Sequence, residues 1–255
     1  MTKEIEINQD KILSLAMDIG KSMIKCGAEI NRVEETIIRV CKAYDIAQID
    51  VFSIISMINV TVTDQDGNTF SQMRRVYSSS TNFGKLEKLN ALSRRICDSK
   101  ITIEQARERL DEINSEKNRF HVTSCIGHML AAGAFTLFFG GSILDAVAAM
   151  PIAIVIYLMN TYIKTRGMNK LFYTALCSAL CGFLAFLFVK IGFGNNADMI
   201  MIGDIMLIIP GLMLINSIRE MLCGDLMSGL LRMTESIVLS MSIACGFAVP
   251  ILLLS

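Results

Sequence analysis

The chain has 255 residues, 53% of them hydrophobic, and its 24 Lys and Arg are matched by 24 Asp and Glu. This balance leaves no excess positive charge, so nothing electrostatic favours nucleic acid as a partner. The charges are unevenly spread, since 18 of the basic and 18 of the acidic residues lie at or before residue 119. We therefore predict an α+β cytoplasmic N-terminal domain over residues 1–119 and an all-α, multi-pass membrane domain of five transmembrane helices over residues 120–255.

The first residues show none of the features of a secretory signal. Residues 1–20 are charged throughout and contain no apolar stretch before a small-residue cleavage site. The first domain is therefore expected in the cytoplasm, where Cys26, Cys41 and Cys97 stay reduced.

Apolar spacing and residue preference predict the elements of this domain. Apolar residues recur at helical spacing in two leading segments, and β-branched residues then dominate from Ile46 to Thr63. Thr102, followed three residues later by Gln105, is a capping box that begins the last helix. The predicted elements are helices at 9–26 and 29–44, strands within 46–63 split near Phe52-Ser53, a turn at 64–68, a strand at 69–77, a loop at 78–81, and helices at 83–98 and 102–114.

The densest polar cluster of the domain is GAEINRVEE, residues 27–35. It is interpreted either as a gate or sensor surface or as a solvated helix face with charge pairs three or four residues apart, and the spacing favours the second. No Walker loop, glycine-rich dinucleotide turn or zinc-ligand spacing occurs, so we expect no cofactor and no metal. Cys177 and Cys181 lie one helical turn apart without a neighbouring His or carboxylate, and are interpreted as packing residues.

Five apolar segments fill the rest of the chain, each long enough to cross about 30 Å of hydrocarbon. The predicted spans are residues 121–140, 143–163, 170–190, 198–218 and 230–254. Basic residues recur in alternate connections, with Lys164, Arg166 and Lys170 after the second span and Arg219 and Arg232 near the junction of the last two. The positive-inside rule then places the N-terminus in the cytoplasm and the C-terminus outside a cytoplasmic (inner) membrane.

Ionisable residues at membrane depth are costly and usually functional. Asp204 lies about six residues into the fourth span, roughly 9 Å from its predicted outer end. Glu235 lies inside the fifth span, and His128 follows His121 by two turns on the first. We nominate Asp204, His128 and Glu235 as proton carriers. The simpler roles are interhelical hydrogen bonding for Asp204 and packing for His128.

Pro210-Gly211 interrupts the fourth span near its middle. Such a break frees backbone groups that lipid cannot satisfy, so it must face protein or a water-filled cavity, although a simple kink is the alternative. Asn216 and Arg219 follow toward the cytoplasmic end, where Arg219, like Arg232, has interfacial anchoring as its other role. We nominate Pro210, Gly211, Asn216 and Arg219 as substrate-binding or pathway residues.

These segments carry a resemblance to a known family. GAEINRVE at 27–34, the strand pair, IIPGL at 208–212, NSIRE at 216–220 and Gly224-Asp225 together resemble the threonine/serine exporter family over nearly the whole chain. The resemblance implies a secondary transporter that exports small amino acids or carboxylates, either threonine and serine or dicarboxylates such as succinate. Because fused members carry a second set of spans, it also implies the first (large) subunit of a split form. That subunit works with a smaller second membrane subunit in the lipid bilayer, and a higher oligomer is compatible with it.

A mechanism follows as a hypothesis from this resemblance. No nucleotide motif is present, so proton coupling is the expected energy source. The helix that begins at Gly211 would direct its positive end at a substrate carboxylate, Asn216 would hydrogen bond to the substrate, and Arg219 would attract anions at the cytoplasmic mouth.

Two rival functions come from other classes. A membrane-anchored sensor or scaffold would need no polar lining in its spans. An intramembrane enzyme would need its acid and base groups at one depth, whereas Asp204 and Glu235 are predicted in opposite halves, and no His-Glu-x-x-His motif occurs. We therefore expect no enzyme activity.

Overall fold

The computed structural model describes residues 2–46, 48–63, 67, 69–77, 80–99, 101–116, 121–163 and 168–254, with side chains from Gln9 onward. Helices dominate this part of the chain. The elements are α1 Thr2–Lys25, α2 Ile30–Ala43, β1 Gln48–Ile54, β2 Met57–Thr63, β3 Thr69–Arg75, α3 Phe83–Ser99, α4 Ile103–Ser115, α5 Val122–Phe138, α6 Ile143–Leu158, a π-helical turn Met159–Ile163, α7 Lys170–Lys190, α8 Ala197–Ile208, α9 Gly211–Leu222 and α10 Leu226–Leu254.

The elements form two compact units. The first comprises Met1–Lys117 together with Asn216–Arg232, and the second comprises Asn118–Ile215 together with Met233–Ser255. The end of α9 and the start of α10 therefore belong with the N-terminal helices and strands.

The first unit is built around a three-stranded antiparallel sheet in the order β1-β2-β3. In the central strand, Ile58, Val60 and Val62 alternate with half-buried residues, so one face of the sheet is apolar. Helices α1 and α2 contact the sheet and bury their own apolar stripes there. Apolar burial of this kind is the dominant favourable contribution to folding.

The strand boundary differs from the prediction near Phe52-Ser53. The hairpin turn lies at Ile55-Ser56, because Phe52 and Ser53 pair with Asn59 and Ile58 in the ladder. The predicted second strand at 69–77 and the last two helices of the domain are present with small shifts. Helix α1 starts well before the predicted residue 9. Most of the predicted turn at 64–68 and half of the loop at 78–81 lie outside the described residues.

The capping box of α4 is confirmed. The Gln105 amide donates to Thr102 Oγ1 at 3.3 Å, and the Thr102 amide donates to Gln105 Oε1 at 3.4 Å. Two otherwise unsatisfied amides at the helix start are thereby paired.

The second unit consists of apolar helices packed on a core of Ala, Ile and Cys side chains. By length and composition, three helices within the described residues are able to cross a membrane: Ile143–Ile163, Lys170–Lys190 and Leu226–Leu254. The bent pair α8 and α9 makes a fourth if it is one broken span, while α5 is apolar but has only 17 residues. The structure therefore supports three or four of the five predicted spans. Lys164 and Arg166, which carry the predicted basic connection, lie outside the described residues.

Candidate functional site

The interruption of the fourth predicted span is present at the expected residues. Helix α8 ends at Ile208, α9 begins at Gly211, and the two helices are bent by 49°. Between them Ile209 is extended, with φ −61° and ψ 135°, and Pro210 has no amide proton to continue the helix. The Leu214 amide donates to the Pro210 carbonyl at 3.1 Å, which begins the hydrogen bonding of the new helix.

Asp204, four residues before the end of α8, is completely buried. Within the described part of the chain, neither of its carboxylate oxygens has a hydrogen-bond partner. Helix α8 packs against α7, and Cys177 and Cys181 of α7 are the thiols that interact electrostatically with Asp204.

The opposite side of α8 is closed by tight packing on α5. A Cβ at Gly203 would lie 2.0 Å from Thr136 Oγ1 and 2.8 Å from the Ala132 carbonyl oxygen. The Thr136 hydroxyl itself donates to that carbonyl at 2.9 Å. Only glycine fits at position 203, so no open space separates α8 from α5 next to Asp204.

The other two candidate proton carriers have different surroundings. Glu235 Oε1 lies 2.6 Å from Lys170 Nζ in a half-exposed ion pair. His128 Nδ1 lies 2.8 Å from the Ser124 carbonyl oxygen, and its ring centroid is 5.0 Å from that of Tyr157. Asp204, His128 and Glu235 therefore do not form one cluster, and Asp204 alone among the three is fully buried.

Two arginines, one just after the predicted fourth span and one near the start of the fifth, pair with glutamates inside the first unit. Arg219 Nη1 lies 2.7 Å from Glu29 Oε1, and Arg232 Nη2 lies 2.9 Å from Glu220 Oε1. Arg232 also donates to the Ala28 carbonyl at 3.3 Å. We call these five residues the double-arginine cluster. The Arg232–Glu220 pair is buried, whereas the Arg219 side chain is 59% exposed, so the two arginines have unequal roles.

The Glu220 carboxylate also lies near the start of α2. The N-cap residue Glu29 makes no capping hydrogen bond with its own side chain, and the Ile30 amide acts electrostatically on Glu220. A carboxylate near a helix N-terminus is favoured by the helix dipole. A residue that lies far away in sequence therefore contributes negative charge at the start of α2.

Two acidic residues of the same unit, Glu34 and Asp225, interact electrostatically. Glu34 Oε1 accepts the Ser53 amide at 2.7 Å. Burial raises the pKa of Glu34, the Ser53 hydrogen bond partly offsets this, and the charge of Asp225 raises the pKa further. Burial also raises the pKa of Asp225, which follows Gly224 (φ +99°) at the turn between α9 and α10. The charge of Asp225 thus acts on Glu34 from a distant part of the sequence.

These contacts change the interpretation of residues 27–35. The expected solvated face is present in part, since Arg32 and Glu35 form an exposed pair at 3.7 Å three residues apart. Glu29 and Glu34 instead make tertiary contacts with Arg219 and with Ser53. The polar cluster is therefore an internal contact surface as well as a helix face.

Comparison with known proteins identifies the class of the chain. Residues 14–254 match the family model described as "Putative threonine/serine exporter". The chain belongs to the threonine/serine exporter family. A curated protein of Mycobacterium tuberculosis (strain ATCC 25618 / H37Rv), named "Probable threonine/serine exporter", is 21% identical over 248 residues. That match covers 96% of this chain and 47% of the relative, so the chain spans about half the length of that relative. No solved structure matches significantly.

Membership in the threonine/serine exporter family agrees with the apolar, membrane-type helices of the second unit. Three of the quoted motif segments meet in the first unit. Glu29 from the first segment pairs with Arg219 from NSIRE, and the charge of Asp225 acts on Glu34. The fourth segment, IIPGL, forms the break between α8 and α9.

One buried acid, Asp145, was not predicted as a notable residue from the sequence. Asp145 Oδ2 accepts both the amide and the hydroxyl of Ser142, and its Oδ1 accepts the amides of Asn195 and Asn196 at 2.6 and 2.9 Å. The Ser142-x-x-Asp145 spacing is a capping box that could have been recognised. Its contacts with residues about 50 positions away were not accessible from the spacing alone.

Proposed function

We propose that this chain is one subunit of a secondary transporter that exports small amino acids or carboxylates across the cytoplasmic membrane, with proton coupling. The candidate cargoes are threonine and serine, or dicarboxylates such as succinate. The observation that carries the proposal is a buried, unpaired acid beside a broken helix, Asp204 before Pro210, in a member of an exporter family.

The break supports a substrate site at the start of α9. Discontinuous helices in secondary transporters direct half-helix N-termini at anionic substrate groups near the midplane. At Gly211 a Cβ would meet nothing within 4 Å, which leaves room for a ligand to approach the backbone. In this proposal Pro210 and Gly211 hold a substrate carboxylate, and Asn216 and Arg219 line its path. Replacing Asn216 or Arg219 with Ala is then expected to raise the apparent KM for efflux.

Coupling to protons is assigned to Asp204. A charged carboxylate that is buried without a partner is strongly unfavourable, so the buried arrangement suits the neutral acid. Release of that proton requires a second arrangement in which Asp204 meets water, and alternation between the two would link proton movement to cargo movement. His128 and Glu235 are secondary candidates because each already contacts a neighbouring group.

The double-arginine cluster supports a gating role for the N-terminal domain. Arg219 is held by Glu29 through an exposed pair, and an anionic cargo group would compete with Glu29 for the same guanidinium. In this proposal the competition releases the end of α9 from Glu29 when cargo arrives from the cytoplasm.

The membrane arrangement in this proposal has five spans, an N-terminus in the cytoplasm and a C-terminus outside. Helix α5, at 17 residues and about 25 Å, would be the additional span, with the bilayer thinning slightly around it. In this proposal the partner is a smaller second membrane subunit of the same exporter family.

Reconstitution into proteoliposomes tests the function directly. The chain is reconstituted with and without the second subunit, and counterflow of labelled threonine, serine and succinate is measured. Uptake of at least one of the three only when both subunits are present is the expected result. Absence of counterflow by the complete assembly, with both subunits inserted, would instead favour the sensor or scaffold function.

The role of Asp204 in proton coupling is tested by substitution of that residue. Asp204→Asn should abolish efflux driven by a pH gradient while the folded protein remains in the membrane. Asp198→Asn, at the exposed start of the same helix, is the matched control and should leave efflux near the wild-type rate. Wild-type efflux by Asp204→Asn would remove this residue from the mechanism.

A further inference from the structure

The end of α9 and the start of α10, residues Asn216–Arg232, are polar inside and apolar outside. We call this part of the first unit the inverted segment. Its fully buried residues are Ser217, Glu220, Ser228, Gly229 and Arg232. Its exposed apolar side chains include Ile218 (46%), Leu222 (83%), Leu226 (66%), Met227 (62%) and Leu231 (43%). The buried ion pair thus lies on the inner side, and aliphatic side chains form the outer side.

Helix α2 of the same unit has the opposite arrangement. Ile30 and Val33 are buried there, whereas Arg32 and Glu35 form an exposed pair. Contact with water favours this pattern, in which an apolar stripe faces the core and charged residues face outward. The reversed pattern of the inverted segment therefore indicates that its outer side meets an apolar environment.

The two helices of the inverted segment contact each other as helices do in membranes. A Cβ at Gly229 on α10 would lie 2.7 Å from the Ser217 carbonyl oxygen on α9, so a side chain there would push the two backbones apart. Helices in lipid associate through small residues in this way, because lipid supplies no hydrophobic force that drives large side chains together. Ser217 and Gly229 fill the inner contact, and the large aliphatic side chains point to the surroundings.

The length of α10 places the inverted segment at the membrane surface. Its 29 residues span about 44 Å, which exceeds the roughly 30 Å of hydrocarbon and matches a bilayer with its headgroups. The excess of about 14 Å belongs to the start of the helix, because Arg232 and Glu235 lie there and residues 251–254 are all aliphatic. The first turns of α10 therefore lie at the level of the headgroups.

Lipid suits the outer side of the inverted segment better than a protein partner does. Protein interfaces are enriched in aromatic residues, and the inverted segment contains none. The small residues that membrane helices use to contact one another are engaged between α9 and α10. Further along α10, which is able to cross a membrane, Ile237, Val238 and Met241 are exposed as well.

We infer that the inverted segment lies in the surface of the bilayer, with Leu222 and Leu226 in contact with lipid acyl chains. An apolar helix face in this position enters the boundary between headgroups and acyl chains by about 5 to 10 Å. Through the double-arginine cluster, the segment holds the start of α2 at the same surface. The first unit is thereby attached to the membrane, and this attachment requires neither a cargo nor proton coupling.

Tryptophan fluorescence tests this placement, because the chain contains no tryptophan of its own. Leu222→Trp or Leu226→Trp is introduced into the full-length protein, which is reconstituted in phosphatidylcholine vesicles with or without brominated acyl chains. Bromine quenches a Trp that touches lipid, and aqueous iodide quenches one that touches water. Bromine should quench both variants at least about half as strongly as it quenches Phe183→Trp, an exposed position in the middle of α7.

The aqueous control is Asp111→Trp, at an exposed position of α4 in the first unit. Iodide should quench this control strongly and bromine should not, whereas the two test variants should show the reverse. The two test positions lie on separate helices, so the result does not depend on correct insertion of one variant. Iodide quenching of Leu222→Trp and Leu226→Trp to the extent seen for Asp111→Trp would overturn the inference, because the segment would then lie in water.

Protection of both test variants from both quenchers would also overturn the inference, because protein would then cover the surface. The measurement is repeated with the second subunit present, and unchanged bromine quenching is expected. Loss of that quenching would assign the outer side to a subunit interface and exclude lipid contact. These outcomes are separate from counterflow, so a failure of the proposed transport function leaves the lipid contact standing, and the reverse also holds.

Discussion

The buried Arg232–Glu220 pair is the residue-scale feature with the largest expected effect on stability. Removing one partner of a buried ion pair leaves an uncompensated charge, which typically costs about 3 to 5 kcal/mol. We expect Arg232→Met to lower the free energy of unfolding by an amount in that range. Thermal unfolding of the purified protein in detergent, followed by circular dichroism, measures the loss.

The second arginine of the cluster supplies the control for that measurement. Arg219 is mostly exposed in its pair with Glu29, so solvent screens the interaction and Arg219→Met should cost less than about 1 kcal/mol. Adding Glu220→Gln to Arg232→Met removes both buried charges and should restore much of the lost stability. Equal losses for Arg219→Met and Arg232→Met would contradict the assignment of unequal roles.

The raised pKa of Glu34 predicts a pH dependence of stability. The folded state binds its proton more tightly than the unfolded state, so the contribution of this carboxyl to stability falls as pH rises from the unfolded pKa through the raised folded pKa. The Glu34→Gln variant has no ionisable group at this position, so it does not lose this stability as the pH rises. Relative to wild type, the variant should therefore be more stable at about pH 7 than at about pH 4.

Unfolding of both proteins at the two pH values checks this expectation. Glu35→Gln, which removes one exposed negative charge from the same helix, serves as the control. A stability difference between Glu34→Gln and wild type that is the same at both pH values would show that burial of Glu34 has no effect on its protonation.

At the scale of elements, the seam between α5 and α8 is the tightest helix contact near Asp204. Gly203→Ala places a methyl group against Thr136 Oγ1 and the Ala132 carbonyl, and the backbone oxygen cannot rotate away. Overpacking of this kind costs about 1 to 3 kcal/mol. Gly127→Ala, on α5 where a Cβ meets nothing within 4 Å, should be neutral or slightly stabilising.

The two glycine variants are compared by thermal unfolding and by the fraction of protein inserted in the membrane. Gly203→Ala with wild-type stability would mean that α8 can move away from α5 without cost. It would also remove the argument that this side of Asp204 is closed.

The elements show which features the sequence could predict. Local signals were reliable, because Pro210-Gly211 breaks the helix where the dipeptide occurs and Thr102 caps α4 with Gln105. The turn at Ile55-Ser56 was missed because it contains no Gly, Pro, Asn or Asp, and Ser56 alone was too weak a signal to interrupt the β-branched run. Only the ladder between the two strands determines where that run turns back.

At the scale of the whole molecule, the fold class was predictable and the long-range pairs were not. Charge and apolar segments divided the chain into an α+β part and a helical membrane part. Spacing cannot indicate that Arg219 meets Glu29 or that Arg232 meets the Ala28 carbonyl, because these contacts join residues 190 and 204 positions apart. The count of five spans stays a prediction, because length and composition support three or four of them and α5 has only 17 residues.

Deletion of residues 1–115 tests the role of the N-terminal domain. The deletion removes Glu29 and the Ala28 carbonyl, so the segment Asn216–Arg232 loses the ion-pair partner of Arg219 and the backbone contact of Arg232. We expect efflux by the complete assembly to fall at least about tenfold, because the buried pair is exposed. Counterflow in proteoliposomes, normalised to inserted protein, measures this. Unimpaired and normally regulated transport would contradict a gating role.

The contacts of Glu29 with Arg219 and of Ala28 with Arg232 have a consequence for biosynthesis. Glu29 leaves the ribosome about 190 residues before Arg219 is made, which at 5 to 20 residues per second is a delay of roughly 10 to 40 s. During that interval Glu29 and the Ala28 carbonyl lack their arginines. The first compact unit, although its N-terminal helices and strands are synthesised first, is therefore completed only after the broken span has been translated.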